Sequence, residues 1–293
     1  MLLVHADIIP SMPLADWTQS AVNWLYANLE GFFTALNGGI QALVGGLEFA
    51  LTLPPALVMV AILTLLALAL AGWRVALFTV IGLLLIISLG LWDDAMLTLA
   101  LILISTAVSL IIGVPLGIAA AKVRVAEAVT RPILDLMQTM PPFVYLVPFA
   151  ILLGLGAAPA LIATIVFSMP PAARLTMLGI QQVPKETVEA AHAFGSTPMQ
   201  TLLKVELPLS LTAIKTGINQ VIMLSLSMVV VAALIGAGGL GRSVVFGLQQ
   251  LNVGTSLVGG VGIVVIAVAL DRVTRSVGES RRRIPRLRAR KGG

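Results

Sequence analysis

Long uncharged apolar runs alternate with short polar stretches over most of this chain. A helix needs about 20 apolar residues to cross a bilayer, and runs of that order recur after residue 48. They predict seven membrane-spanning helices, the second a little short: Phe49–Trp73, Val75–Leu91, Ala95–Ala121, two from Leu136–Ala173 split by a turn at 154–159, Gly217–Ile235 and Gly254–Leu270. The pattern is typical of an all-α polytopic membrane protein.

The first 46 residues follow a different pattern, in which apolar residues recur at helical spacing among polar ones. The apolar positions are Trp17, Ala21, Trp24, Leu25, Leu29, Phe32 and Leu36. Because tryptophan favours the membrane–water interface, this stripe predicts an amphipathic helix lying at that interface. A helix packed against the transmembrane bundle remains an equal alternative.

These patterns divide the chain into three regions. Residues 1–46 form the N-terminal segment, residues 47–271 the transmembrane domain, and residues 272–293 a basic tail. Residues 184–208, which we call the polar island, interrupt the transmembrane domain. The tail is predicted to contact anionic lipid or simply to anchor the chain by its positive charge.

The polar island carries local signals for two short helices joined by a tight turn. Pro184 suits the first turn of a helix, and Glu189 complements the helix dipole near it. Gly195 can adopt the left-handed conformation that ends a helix. Thr197 and Pro198 then read as the N-cap and first residue of the next one. Such an exposed helical hairpin is suited to contact a partner.

Composition and charge place the chain in a membrane. Hydrophobic residues make up 58% and charged residues 11%, against about 25% charged in soluble domains. Lysine and arginine are absent before Arg74, and nine of the 18 follow position 271. The positive-inside rule then predicts an external N-terminus and a cytoplasmic C-terminus and polar island, with Arg242 as the one exception. We expect a multi-pass protein of the cytoplasmic (inner) membrane, with no nucleic-acid partner.

Residues 236–243, GAGGLGRS, resemble a nucleotide-binding loop only superficially. A phosphate loop needs a preceding strand so that its backbone N–H groups converge on phosphates. A transmembrane helix precedes this one, so we predict a close turn that lets helices pack. No cysteine is present and no catalytic constellation occurs inside the membrane. We therefore expect no enzyme activity, metal site or cofactor on this chain.

Two stretches offer candidate pore residues. The run from Met140 to Tyr145 holds two prolines, which break a membrane helix and are tolerated where it lines a cavity. The sixth span carries polar groups on one face. The candidates are Met140, Phe143, Tyr145, Asn219, Met223 and Ser227. The aromatic rings could contact a cation. A kinked packing helix and hydrogen bonds between helices are equal alternatives.

Two further contacts are expected from spacing alone. Gly113 and Gly117 form a small-xxx-small pair on the third span, which predicts close helix packing. Arg131 and Asp135 stand four residues apart, which predicts an ion pair along one helix.

The polar island resembles the coupling loop of ABC importer permeases, whose pattern is E-A-A-x3-G-x9-I-x-L-P. The matching residues are Glu189, Ala190, Ala191, Gly195, Val205, Leu207 and Pro208. Val205 replaces the isoleucine, a mild change in an apolar contact. The resemblance implies a type I ABC importer permease fold and a coupling loop that docks on a separate ATP-binding subunit, which would carry the ATP.

The likeness extends to the permeases of glycine betaine/proline betaine importers. The similar segments are residues 113–119, 132–148, 169–184, 217–241 and 259–272. This resemblance implies uptake of osmoprotectants by alternating access. The expected partners are an ATP-binding subunit, an extracytoplasmic substrate-binding protein and a second permease copy. Choline or another small solute is an alternative substrate, and an ATPase-independent secondary transporter or a membrane scaffold is an alternative of another class.

Overall fold

The computed structural model describes residues 12–279, and all regular secondary structure within them is helical. The helices are α1 (Leu14–Thr52), α2 (Ala56–Ala71), α3 (Trp73–Ser88), α4 (Trp92–Lys122), α5 (Arg124–Thr139), α6 (Pro142–Leu153), α7 (Ala157–Gln181), α8 (Lys185–Ala193), α9 (Pro198–Thr201), α10 (Leu207–Ala233), α11 (Leu240–Gln249) and α12 (Val253–Glu279). A five-residue π-helical turn, Leu202–Glu206, joins α9 to α10. The predicted all-α class is therefore confirmed.

Helices α4, α7 and α10 form the centre of the bundle, and small residues bring their backbones together. A methyl group added at Gly117 of α4 would lie 2.4 Å from the carbonyl oxygen of Ala173 on α7. One added at Gly113 would lie 2.9 Å from the Ala172 side chain. Close approach of this kind drives helix association in lipid. The packing predicted for the two glycines is confirmed.

Hydroxyl groups lie between these central helices and bond to protein atoms. Ser109 and Ser168, both fully buried, join α4 to α7 with their oxygens 3.0 Å apart. Thr164 donates to the carbonyl of Ala160 at 2.7 Å. Because hydrocarbon offers no hydrogen-bond partner, these two bonds satisfy groups that would otherwise be costly to bury.

The number of spans differs from the prediction of seven. Within the described residues 12–279, four helices are long and apolar enough to cross a membrane, and the count rises to six if each of two bent helix pairs is one span. Helix α3 has 16 residues, which gives about 24 Å against a hydrocarbon core of about 30 Å. The predicted second span is therefore too short to cross as a straight helix.

The predicted first span is interrupted. Helix α1 ends at Thr52, α2 begins at Ala56, and their axes meet at 97°. Pro54 and Pro55 lie at the bend. Proline has no N–H to donate and its ring clashes with the preceding helical turn, so a helix starting at Phe49 cannot continue through the pair.

The predicted fourth span is also divided. Helices α5 and α6 meet at 94° where Met140 and Pro141 adopt extended conformations. Helix α6 alone has 12 residues, about 18 Å, too short to cross. The two prolines break the helix as predicted, but the helix before them begins at Arg124, well before Leu136.

The ion pair predicted between Arg131 and Asp135 is wrong. Arg131 bonds instead to Glu127 of the same helix, with its Nε 3.0 Å from the carboxylate. Asp135 pairs with Arg174 on α7. Because α5 packs along α7, a charge on the neighbouring helix takes the place of the one at helical spacing.

Helix α1 packs against the bundle along one face and leaves its tryptophans exposed. Val22, Leu25 and Leu36 pack near Leu152 of α6, while Trp24 is 62% exposed. The stripe predicted from spacing is thus split between two faces. The predicted spacing holds only for one regular helix, whereas the backbone of α1 leaves helical geometry at Leu29. Helix α1 also runs through the 46/47 boundary, and α12 through the 271/272 boundary.

The two ends of the central bundle differ in composition. One end holds Asp94, Gly156 and Gly236, and the other holds Lys122 and Gln181. We call them the outer and inner ends after the predicted orientation, since the inner end carries most of the basic residues. The remaining basic residues of the tail, from position 280 on, lie outside the described residues.

Candidate functional site

The polar island forms the two short helices that its local signals predict. Helix α8 begins after Pro184, and Gly195 ends it with φ of +80°. The amide of Ser196 donates to the carbonyl of Ala191 at 3.1 Å and closes the turn. Thr197 caps α9: its amide donates to Gln200 Oε1 at 2.9 Å, and its hydroxyl accepts from the Gln200 amide at 3.3 Å. This reciprocal capping box determines how the chain enters α9.

Helix α8 stands clear of the bundle, and none of its side chains is buried. Glu189 and Ala190 are exposed, and Ala191 is half-buried. Short side chains here leave the helix backbone open to close approach by another protein. These three predicted residues lie on one short exposed element.

Phe194 is a residue of this site that the sequence analysis overlooked. Its ring is 91% exposed, directly before the glycine turn. Exposed apolar groups on a projecting polar segment mark contact sites, and aromatic side chains are enriched in the core of protein interfaces. The signal in the sequence was a lone aromatic residue inside an otherwise polar and alanine-rich stretch.

The remaining predicted residues of the island lie where α9 continues into α10. Val205 and Leu207 are half-buried and Pro208 is exposed. The amide of Leu207 donates to the carbonyl of Leu202, five residues back, which is the π-helical hydrogen bond. Pro208 has no N–H to return to Lys204 and would crowd that carbonyl in an α-helix, so a wider turn accommodates it. The predicted boundary at Pro208 is therefore a change of helical register within one helix.

Glu206, inside this π turn, is a second residue that the sequence analysis did not single out. It is 4% exposed, and its carboxylate pairs with the ammonium group of Lys122, the last residue of α4. A carboxylate so largely withdrawn from water requires a charged partner. The contact joins the polar island to the centre of the bundle.

The glycine-rich stretch at the outer end forms a tight turn, as predicted. Gly236, Gly238 and Gly239 all have positive φ, and a methyl group at Gly239 would lie 2.4 Å from the Thr98 hydroxyl oxygen. The amide of Leu240 donates to that oxygen at 2.9 Å. Helix α10 precedes the turn, so the strand–loop–helix setting of a phosphate loop is absent from this part of the described chain.

Arg242, the exception to the charge rule, has an acidic partner at the outer end. Its guanidinium lies 3.0 Å from the Asp94 carboxylate at the start of α4. The positive charge is thereby offset where the orientation predicts an acidic surface.

The candidate pore residues do not share one cavity within the chain. Phe143 lines a groove of about 420 Å³ between α6 and α1. The Tyr145 ring packs near Phe149 of the same helix, with centroids 6.5 Å apart, in a cluster with α7 and α10. Met223 and Ser227 line a separate groove of about 350 Å³ between α10 and α12.

The last two candidates lie outside these grooves. Asn219 is half-buried on α10, and Met140 is half-buried at the bend between α5 and α6. Among residues 12–279, no group of three or more His, Asp or Glu side chains could hold a metal ion.

Comparison with known proteins places these features in a family. Residues 113–283 match the family model described as the binding-protein-dependent transport system inner membrane component. The chain is 45% identical over 271 residues to the glycine betaine transport system permease OpuAB of Bacillus subtilis, covering 92% of this chain and 96% of that protein. It is 42% identical over 271 residues to the glycine betaine/proline betaine permease ProW of Escherichia coli, covering 92% and 77%.

A solved structure supports the fold. The inward-facing MetNI methionine ABC transporter resembles this chain with a TM-score of 0.53 at 24% sequence identity. The match covers 61% of this chain and 92% of that one. At that identity the likeness bears on the fold alone.

Proposed function

The chain belongs to the family of binding-protein-dependent transport system inner membrane components, and we propose that it is the permease subunit of an ATP-driven importer for glycine betaine and proline betaine. Two relatives that transport such compounds match more than nine-tenths of its length. Permeases of this kind are transport subunits of the inner membrane, not enzymes. ATP is bound and hydrolysed on a separate subunit.

The exposed polar island is the observation that carries this proposal. Helix α8 has no buried side chain, and Phe194 presents an almost fully exposed ring beside it. The polar helix is stable in water, whereas the exposed ring gains hydrophobic burial only when a partner covers it. We assign this surface to the ATP-binding subunit, with Ala190 and Ala191 allowing close approach and Phe194 entering a pocket.

The continuous helix that follows the polar island can carry a movement of the island into the bundle. From Pro198 to Ala233 the chain is helical over 36 residues, a length of about 54 Å. Helix α10 also packs closely on α7, where Gly217 admits the carbonyl of Pro171. A displacement of α8 and α9 by the ATPase therefore tilts α10 against α7, which exchanges inward-facing and outward-facing states.

The remaining partners follow from the ends of the bundle. A substrate-binding protein delivers solute at the outer end. A second copy of the chain completes the path, because Phe143, Met223 and Ser227 line grooves on the surface of a single chain. Lipid covers the apolar faces of α2, α3 and α12.

The substrate class agrees with the chemistry of the candidate residues. A betaine keeps its quaternary ammonium charge at every pH, so the path requires no proton transfer. Aromatic faces such as Phe143 and Tyr145 suit such a cation. Choline shares the cation but lacks the carboxylate, which makes it the natural competitor in a transport assay.

Site-specific crosslinking tests the coupling surface. The chain has no cysteine, so Ala190→Cys introduces a single thiol on exposed α8. We expect a thiol–amine crosslinker to join it to the co-expressed ATP-binding subunit, with a yield that changes when ATP is added. Leu251→Cys, 87% exposed at the outer end, is the matched control and should give no crosslink.

Uptake in a strain without other betaine importers completes the test. Protection of growth by betaine at high salt should require this chain, the binding protein and an ATPase competent in hydrolysis. Protection that persists with a hydrolysis-deficient ATPase would favour a secondary transporter instead. Uptake of choline in preference to betaine would correct the substrate alone.

A further inference from the structure

The π turn determines which side chain of the island faces the bundle. Thr201, Glu206 and Ser210 are all buried, at intervals of five and then four residues. A regular α-helix would continue the buried face from Thr201 at an interval of four, which falls on Val205. The extra residue in the turn directs the carboxylate of Glu206 inward instead of the Val205 side chain.

The inward carboxylate meets the end of a central helix. Lys122 is the last residue of α4 and pairs with Glu206 across 84 residues of sequence. Its side chain is 39% exposed, whereas that of Glu206 is 6% exposed. The lysine is thus solvated in part, and the glutamate depends on it for charge compensation.

Stability alone gives no reason for a charged contact at this position. Replacing a buried ion pair by a well-packed apolar pair of similar volume is often neutral or stabilising, because dehydrating a charge such as the Glu206 carboxylate offsets much of the attraction. An ion pair does, however, specify one relative placement of two elements. The elements joined here are the polar island and helix α4, which packs along α7.

We propose that the Lys122–Glu206 pair transmits motion of the polar island to α4, so that ATP hydrolysis and solute movement remain coupled. This inference rests on the proposed function of the chain. Helix α10 carries the motion of the polar island to α7. The ion pair links the polar island directly to α4, so that α4 moves together with α7 and α10. Both residues are positioning residues that do not contact the solute.

The test uses the complete importer in proteoliposomes, with the binding protein, and measures betaine transported per ATP hydrolysed. Glu206→Gln is the main variant, since it keeps the shape of the side chain and leaves no buried unpaired charge. We expect it to retain ATPase activity while the transport-to-hydrolysis ratio falls by about two- to thirtyfold, the range found for residues that carry coupling. Lys122→Gln should lower the ratio similarly.

A charge exchange separates coupling from a merely structural role. The double variant Lys122→Glu/Glu206→Lys restores an ion pair in the reverse sense and should regain part of the ratio lost in the single variants. Arg131→Gln removes a pair with Glu127 that lies within α5 and is the matched control. Its ratio should equal that of the unaltered complex.

The outcomes are distinguishable. An unaltered ratio in both single variants would overturn the inference, and so would an exchange variant no better than either single one. If the unaltered complex does not couple betaine uptake to ATP hydrolysis, the proposed function is overturned instead.

Discussion

The glycine-containing segments at the two ends of the central bundle, the turn before α11 and the turn of the polar island, are built in opposite ways. At the outer end, backbone meets backbone: a methyl group at Gly241 would lie 2.3 Å from the carbonyl oxygen of Val229. At the inner end, Gly195 has nothing within 4 Å of an added methyl group and is needed only for its positive φ. The helix after the outer glycine turn is thus held by close packing, whereas the turn of the polar island projects into solvent.

The largest effect should come from filling the outer contact. Gly241→Ala places a methyl group against a backbone carbonyl that cannot rotate away, so we expect a loss of about 3 kcal/mol in the free energy of unfolding. Thermal unfolding of the purified complex measures it. Gly46→Ala on α1, where an added methyl group meets nothing within 4 Å, should be neutral or stabilising. Equal effects at the two sites would show that the outer packing is not tight.

An intermediate effect is expected from removing the exposed ring at the inner end. Phe194→Ala should weaken binding of the ATP-binding subunit by about 2 kcal/mol, a typical interface hot spot and close to thirtyfold in Kd. The melting temperature of the isolated chain should not change, because the ring touches little of its own protein. Titration of purified ATPase onto the detergent-solubilised chain measures the affinity. Leu251→Ala, a similarly exposed apolar residue at the other end, should leave it unchanged.

The smallest effect should follow from loss of a helix cap. Thr197→Ala removes the hydroxyl that accepts from the Gln200 amide and should destabilise α9 by about 1 kcal/mol. Amide hydrogen exchange of the segment should then be about fivefold faster, with the bundle unaffected. Asn252→Ala removes the side-chain oxygen that caps α12 at the outer end, 3.1 Å from the Thr255 amide. Protection within the island should not respond to that control.

The residues of the island show how far local signals reach. Gly195 and the cap at Thr197 were predicted and are confirmed, because a helix end depends on conformations and hydrogen bonds within four residues. The break at Pro141 was predicted for the same reason. The break at Pro54 had an equally local signal, but the long apolar run around it suggested an unbroken span.

Contacts between distant elements lay beyond such reasoning. Neither the pairing of Lys122 with Glu206 nor that of Arg242 with Asp94, 148 residues apart, has a signature at helical spacing. The same limit applies to Asp135: helical spacing predicts a pair with Arg131 on its own helix, but it pairs with Arg174 on α7. The face of α1 that packs was likewise not evident, since a bend at Leu29 shifts it.

By itself the sequence determined the membrane class, most apolar segments, the glycine turn and its caps, because each depends on residues close along the chain. Its likeness to betaine permeases also indicated the family that the comparisons then established. Only the tertiary structure decided which helices are bent, how the π turn directs Glu206 inward and which charges pair. Those features depend on which helix faces touch, and in lipid that is decided by close packing of small residues on different helices.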